Sequence, residues 1–266
     1  MLRNMDSVVV AYSGGVDSAF LAAVAHEVLG PKSLAVTAHS PSLPPSELAA
    51  ATELAREWGL NHKVIETKEF SNPNYIANSP RRCYYCKSEL YEELKEIAVK
   101  EDMAWVANGT NCDDLGDFRP GLEAAEEHGV RSPLQEAGLT KAEIRQLSRE
   151  IGLPTWDKPA LACLSSRISY GTPVTLKALE SIDQGEQYLR NLGIKQVRVR
   201  HHDTIARIEV EPQSIHLLLD EEVRSGVVEH FKALGYTYVT IDLAGYRSGS
   251  MNESLKLAPA HSSSKA

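Results

Sequence analysis

The most constraining feature of the chain is the six-residue stretch Ser13-Gly14-Gly15-Val16-Asp17-Ser18, because of what stands on either side of it. Before it, Ser7 to Ala11 is a short apolar run rich in β-branched valine. After it, from Asp17 to Leu29, apolar residues recur at helical spacing. The order is therefore strand, glycine turn, helix. Two adjacent glycines let the backbone come close to a phosphate, Ser13 and Ser18 offer hydroxyls, and a helix start presents unpaired N–H groups with partial positive charge. An anion is expected to bind there, at Ser13, Gly14, Gly15, Val16, Asp17 and Ser18. The stretch is not a Walker A loop, since no Gly-Lys-Ser/Thr follows, and its glycines do not keep the G-x-G-x-x-G spacing of a dinucleotide fold.

Further apolar runs at Leu34 to Ala38, Val64 to Ile65 and Trp105 to Ala107 alternate with helical stretches at about Ser46 to Trp58 and Tyr84 to Lys100. Strands that alternate with helices need crossover connections, so the first half is expected to be α/β, a doubly wound parallel sheet. After Pro159 the texture changes. A helix near Thr175 to Asn191, strands at Gln196 to Arg200 and Ala206 to Glu211, a helix through about Phe231 and a strand at Thr237 to Asp242 predict a second, smaller α+β domain. The expected boundaries are 1–160 for the nucleotide domain, 161–257 for a domain of substrate binding and oligomer contacts, and 258–266 for a polar, disordered tail.

Composition narrows the partner. With 42% hydrophobic and 24% charged residues, the 266-residue chain can bury a substantial core. A net charge of −8 without any basic block argues against a surface that tracks nucleic-acid phosphates. No apolar stretch approaches a membrane span, and the first residues lack a secretory pattern, so a cytoplasmic protein with a small-molecule partner is expected. Four cysteines are too few for a disulfide scaffold and point to metal or catalysis.

A second loop, Asn108-Gly109-Thr110-Asn111-Cys112-Asp113-Asp114-Leu115-Gly116-Asp117-Phe118-Arg119-Pro120-Gly121, follows the run Trp105 to Ala107. In an open α/β sheet ligands bind beyond the carboxyl ends of strands, so this loop can face the same nucleotide. Mg²⁺ asks for one or two carboxylates plus phosphate oxygens, which suits Asp17 with one of Asp113, Asp114 or Asp117. Cys83 and Cys86 form a CxxC at the expected start of a long helix, and Cys163 lies far along the chain. The helix start and the cations Arg81, Arg82 and Lys87 are expected to favour thiolates, the form that binds metal or attacks electrophiles. A CxxC alone also fits a redox pair or half a zinc site, but no second CxxC or CxxH accompanies it.

The stretch SGGVDS after an apolar strand resembles the PP-loop of the N-type ATP-pyrophosphatases, among them GMP synthetase, NAD synthetase and the tRNA-thiolating enzymes. Phe118-Arg119-Pro120-Gly121, Cys163-Leu164-Ser165-Ser166-Arg167 with Tyr170-Gly171-Thr172, and Val197-Arg198-Val199-Arg200 leading to Glu209 together resemble the LarE family over nearly the whole chain. The resemblance implies an ATP-dependent sulfurtransferase. It would adenylylate a carboxylate of pyridinium-3,5-biscarboxylic acid mononucleotide, release pyrophosphate, and exchange oxygen for sulfur to give the thiocarboxylate precursor of the nickel-pincer cofactor. It further implies ATP and Mg²⁺ held by the phosphate loop with Asn108, Gly109, Asp113, Asp117 and Arg119, and substrate contacts at Ser166, Arg167, Arg198, Arg200 and Glu209. Some relatives sacrifice the sulfur of a single cysteine; the added Cys83 and Cys86 match the branch in which three cysteines hold a [4Fe-4S] cluster whose open iron carries sulfide. Catalytic roles then fall on Cys83, Cys86, Cys163 and Asp17, Cys112 is a packed loop residue, and a homo-oligomer is implied. The competing readings are a cluster-dependent tRNA thiolase, an ammonia-using amide ligase resembling NAD synthetase, and a nucleotide-binding module without enzymatic activity.

Overall fold

The computed structural model describes residues 1–116, 120–159 and 162–247, with Leu115 and Gly116 as backbone only. The chain divides into two compact units, Met1–Cys163 and Leu164–Ala266. The expected tail at 258–266 lies outside the described residues, as do the candidate site residues Asp117 and Arg119.

In the first unit, β1 (Val8–Ala11), α1 (Val16–Leu29), β2 (Ser33–His39), α2 (Pro45–Glu57), β3 (His62–Glu66), α3 (Pro73–Ile76), α4 (Arg82–Lys100), β4 (Trp105–Ala107), α5 (Pro120–Glu127), α6 (Pro133–Glu136) and α7 (Lys141–Glu150) follow in order. The four strands form a parallel sheet in the order β3-β2-β1-β4, with Val8 opposite both Ser33 and Trp105. Successive strand side chains point to opposite faces. Val8 and Val10 accordingly pack into a core with α1, α2 and α7, while Val9 packs into a second core with α4 and α5. Helices on both faces explain why β1 reads as an unbroken valine run instead of an alternating one. The doubly wound parallel sheet expected from the sequence is present.

The strand order reverses at β1, whose neighbours β2 and β4 lie on opposite sides, so a topological switch point opens between β1 and β4. A ligand crevice is expected beyond the carboxyl ends of strands at such a point. The phosphate loop leaves β1 and the Asn108 loop leaves β4, so both begin at that crevice.

In the second unit, a 3₁₀ turn at Leu164–Arg167 leads to α8 (Leu176–Asn191), β5 (Val197–His202), β6 (Ile205–Val210), a 3₁₀ segment at Pro212–Leu219, α9 (Glu221–Ala233) and β7 (Tyr238–Ile241). β5 and β6 are antiparallel neighbours, and β7 returns parallel to β6 after the α9 crossover. Thr175 caps α8 through Ala178 N, and Asp220 caps α9 through Glu222 N and Val223 N. Gly185 lets α8 meet α9 closely: a Cβ there would stand 2.9 Å from Phe231 Cζ.

Candidate nucleotide and sulfur site

Gly14 has φ 68, and a Cβ on it would stand 2.6 Å from Ala51 Cβ, so both conformation and packing call for glycine. Around it the two serines close the loop. Ser13 Oγ and Ser18 Oγ are 3.0 Å apart, Ser13 N donates to Ser18 Oγ at 3.1 Å, and Gly15 N donates to Ser13 Oγ at 3.4 Å. Gly15 is the N-cap of α1 without a side-chain cap, which leaves that helix start its own N–H groups and partial positive charge. Val16 turns its side chain into the core, so it serves the loop through its backbone.

The Asn108 loop packs against this start. A Cβ on Gly109 would stand 2.9 Å from Ser18 N, so glycine sets how closely the loops approach. Asn108 is buried and spends its amide inside the fold, donating to Tyr91 Oη at 3.2 Å and accepting from Thr110 N and Ser132 Oγ. It shapes the loop. Asn111 Nδ2 donates to Asp17 Oδ1 at 3.2 Å, and Asn111 N donates to Asp114 Oδ2. Asp113 Oδ2 accepts from Lys141 N at 2.8 Å and so helps cap α7. Cys112 Sγ lies 3.8 Å from Gln135 O.

Two lysines that sequence reasoning passed over come to the loop. Lys141 Nζ pairs with Asp17 Oδ2, and Lys158 Nζ donates to Gly14 O at 3.1 Å while standing 2.8 Å from Glu47 Oε2. Their sequence neighbourhoods carry no motif. Only the fold brings them to residues 14 and 17.

Cys83 and Cys86 are the second and fifth residues of α4, and Cys163 closes the same unit. Cys83 and Cys163 are exposed and Cys86 is half-buried. Cys163 acts electrostatically on both helix cysteines, and all three act on the Lys87 ammonium, another residue that sequence analysis had only as a flanking charge. The expectation that cations and helix start favour thiolates is corrected here. Burial, with Cys163 next, pushes the Cys83 thiol up despite Arg82, and burial pushes Cys86 up to about 12 despite Lys87. Buried Arg82 acts on Cys83 through a hydrogen bond and its charge and also donates to Asn78 Oδ1, while Arg81 pairs with Glu123 at 2.9 Å. Desolvation therefore outweighs the nearby positive charge.

Among the described residues, no three His, Cys, Asp or Glu side chains stand close enough to hold a metal ion. Mg²⁺ on a nucleotide needs only one or two protein carboxylates, and Asp17 meets that. A four-iron cluster takes thiol ligands set wider than those of a single ion, and the three mutually acting thiols beside a lysine match that donor chemistry.

In the second unit, the buried arginines and carboxylates form an interlocked array. Arg167 Nε and Nη2 grip Glu186 at 2.8 and 3.1 Å, and Glu186 also accepts from Arg190 Nη2 and Val199 N. Arg200 Nη2 donates to Glu209 Oε2 at 2.8 Å and Arg200 Nη1 donates to Ser166 O at 2.9 Å, while Ser166 Oγ accepts from Arg167 Nη1. Arg198 and Arg200 share a strand face, and Glu209 lies opposite Arg198 in register. None of the four is a solvated surface group: Arg167, Arg198, Arg200 and Glu209 are all buried. Burial, with Arg167 next, pushes the Arg198 guanidinium down to about 10, and its Cζ lies 5.2 Å from the centroid of the Tyr246 ring. Glu186, which sequence reasoning missed, is the carboxylate that makes this crowding of cations tolerable.

A family model for NAD synthase matches residues 2–78. The chain is 47% identical over 252 residues to an uncharacterised protein of Synechocystis sp., covering 95% of this chain and 94% of that one. It is 39% identical over 260 residues to the pyridinium-3,5-bisthiocarboxylic acid mononucleotide synthase of Lactiplantibacillus plantarum, covering 97% of this chain and 93% of that enzyme. An uncharacterised protein of Methanocaldococcus jannaschii is 32% identical over 241 residues, 91% of each chain.

Proposed function

Since this chain belongs to the LarE family of pyridinium-3,5-bisthiocarboxylic acid mononucleotide synthases, we propose that it is an ATP-dependent sulfurtransferase acting on pyridinium-3,5-biscarboxylic acid mononucleotide. The observation that carries the reading is the presence, within one folded unit, of a phosphate loop at the sheet's switch point and three thiols that all act electrostatically on one lysine.

The chemistry follows from the leaving group. A carboxylate oxygen attacks the α-phosphorus of ATP, the bond to the β-phosphate oxygen breaks, and pyrophosphate leaves. The carboxyl carbon then carries AMP, which a sulfide displaces to give the thiocarboxylate. The N–H groups of the loop and the Ser13 and Ser18 hydroxyls bind the pyrophosphate as it separates, which lowers the barrier most where negative charge builds up. Asp17 would hold Mg²⁺, which supplies charge neutralisation on the phosphates. Gly109 keeps the second loop against Asp17 and Ser18, so that the helix start keeps its shape.

Cys83, Cys86 and Cys163 would hold a [4Fe-4S] cluster, whose fourth iron supplies a carrier for sulfide. Lys87 stands among the thiols as a compensating positive charge and raises the local affinity for anions such as hydrosulfide or a carboxylate. In the second unit, Arg167, Arg198 and Arg200 are the candidates for the substrate phosphate, with Ser166 and Glu209 holding their guanidiniums in place. An anion beside Arg198 would offset the burial, and after it the repulsion from Arg167, that lower its affinity for a proton. A cytoplasmic location and a homo-oligomer belong to the same proposal; among the described residues no helix is long and apolar enough to cross a membrane.

Exchange of labelled pyrophosphate into ATP tests the first half-reaction. Exchange that depends on the pyridinium biscarboxylate mononucleotide supports the reading. Exchange that appears only with nicotinic acid adenine dinucleotide would assign the chain to amide formation instead.

A further inference from the structure

The phosphate loop has a charge problem. The bound tail of ATP carries several negative charges, yet neither Ser13 to Ser18 nor any residue of α1 is a lysine or arginine. A helix start offers only about half a positive charge. We propose that Lys158 and Lys141 are the missing cations, one at each end of the loop, and that both bind the β- and γ-phosphates of ATP and the pyrophosphate derived from them. The proposal rests on the ATP site described above and adds its charge-bearing residues.

Lys158 is delivered to the loop by a clamp. Arg145 of α7 donates to Trp156 O at 2.7 Å and to Lys158 O at 2.8 Å, which fixes the backbone on both sides of Asp157. The side chain then reaches Gly14 O at 3.1 Å. Its ion pair with Glu47 is close but badly directed: Glu47 Oε2 lies 2.8 Å away, is buried, and accepts no hydrogen bond. Proximity without a directed bond leaves ammonium hydrogens to offer to a ligand. The two side chains are 19% and 21% exposed, so a phosphate arriving at the loop can reach the ammonium.

Lys141 is held in a different way to the same end. It is the first residue of α7, whose start is locked by a capping box between Thr140 and Glu143 and by Asp113 accepting from Lys141 N. From that fixed backbone the ammonium reaches Asp17, whose other oxygen accepts from Asn111. From that pairing with the proposed metal carboxylate the ammonium stands beside the start of α1, where phosphates on the loop would meet it. The two lysines lie 124 and 144 residues along the chain from their partners, so only the fold makes them a pair.

The test is equilibrium binding of ATP, pyrophosphate and AMP, each with Mg²⁺, to the full chain and to Lys141→Gln, Lys158→Gln and Glu47→Gln, with ligand-free melting curves alongside. Loss of a charge-assisted bond predicts that each lysine variant weakens ATP and pyrophosphate about tenfold or more. AMP, which lacks the outer phosphates, binds as before. Glu47→Gln, which frees Lys158 from its resting partner, binds ATP as tightly as the parent or more tightly. The proposal is overturned if the lysine variants bind ATP normally, if AMP is weakened as much as ATP, or if Glu47→Gln weakens ATP as Lys158→Gln does, since that marks a brace for the loop. Should a glutamine variant fail to fold, Lys158→Arg and Lys141→Arg keep the charge and are expected to bind ATP; loss of ATP binding in a folded arginine variant whose AMP binding is intact counts against the assignment. Failure of the broader reading looks different: the parent chain then shows this phosphate pattern but forms no acyl-adenylate from the mononucleotide.

Discussion

At the scale of single residues, the account depends on glycines and on one buried carboxylate. Gly14→Ala places a side chain at φ 68 and within clash distance of Ala51, so it is expected to cost more than about 1 kcal/mol of stability and to abolish ATP binding, read by a melting curve and a binding isotherm. A variant that melts normally and binds ATP contradicts the loop geometry. Glu186 makes a different kind of prediction. Burial raises its affinity for a proton, but Arg167 and the other arginines outweigh that, and its folded-state pKa ends below the ordinary carboxylate value. A lowered folded pKa stabilises at pH above the unfolded value of about 4.3 and loses that stabilisation as pH falls through the folded value. Glu186→Gln should therefore cost about 3–5 kcal/mol at neutral pH, because Arg167 is left buried without its counter-charge. The gap between variant and parent is expected to close as pH falls below about 4; a gap that stays constant with pH would show that shape, not charge, is what Glu186 supplies.

At the scale of elements, α7 is the part whose start matters most, since it carries Lys141 and, through Arg145, the Lys158 segment. Thr140→Ala removes the reciprocal cap and is expected to lower stability by about 1 kcal/mol, measured by chemical denaturation, together with a weaker grip on ATP. A loss of stability with unchanged ATP affinity would separate the helix from the site. The elements differ in how legible they were. β1, β2, β4, α1 and α8 follow from periodicity and from the glycine turn. The helices α5, α6 and α7 go beyond the sequence expectations: α5 and α6 span little more than two turns and about one turn, too short for periodicity to show, whereas α7 carried a legible signal in its Thr140-x-x-Glu143 cap and the spaced Ile144 and Leu147. The glycine pair Gly14-Gly15 implied a backbone open to a phosphate, but the packing of Gly14 on Ala51 and of Gly109 on Ser18 is visible only in the fold. Lys141, Lys158 and Glu186 were not implied either, because each acts on a partner set by tertiary packing and none sits in a recognisable spacing. The sign of the cysteine shift was misjudged for a related reason: sequence shows which charges flank a thiol, while burial, which dominates here, is visible only after folding.

At the scale of the whole molecule, the chain divides into a unit that carries the phosphate loop and a unit rich in buried arginines. The central claim is that ATP cleavage drives sulfur into a carboxylate, with sulfide delivered through the three thiols. The most direct test is an anaerobic reaction of the full chain with ATP, Mg²⁺, excess sulfide and pyridinium-3,5-biscarboxylic acid mononucleotide, following product mass, pyrophosphate and AMP, with iron content and the intact mass of the protein recorded. The account predicts more than one thiocarboxylate per chain, one pyrophosphate and one AMP for each, bound iron that disappears in Cys83→Ala, Cys86→Ala and Cys163→Ala, and an unaltered Cys163 afterwards. AMP formed without sulfur in the product would contradict the claim, and a single turnover that leaves Cys163 without its sulfur would replace the cluster-borne route by a sacrificial one.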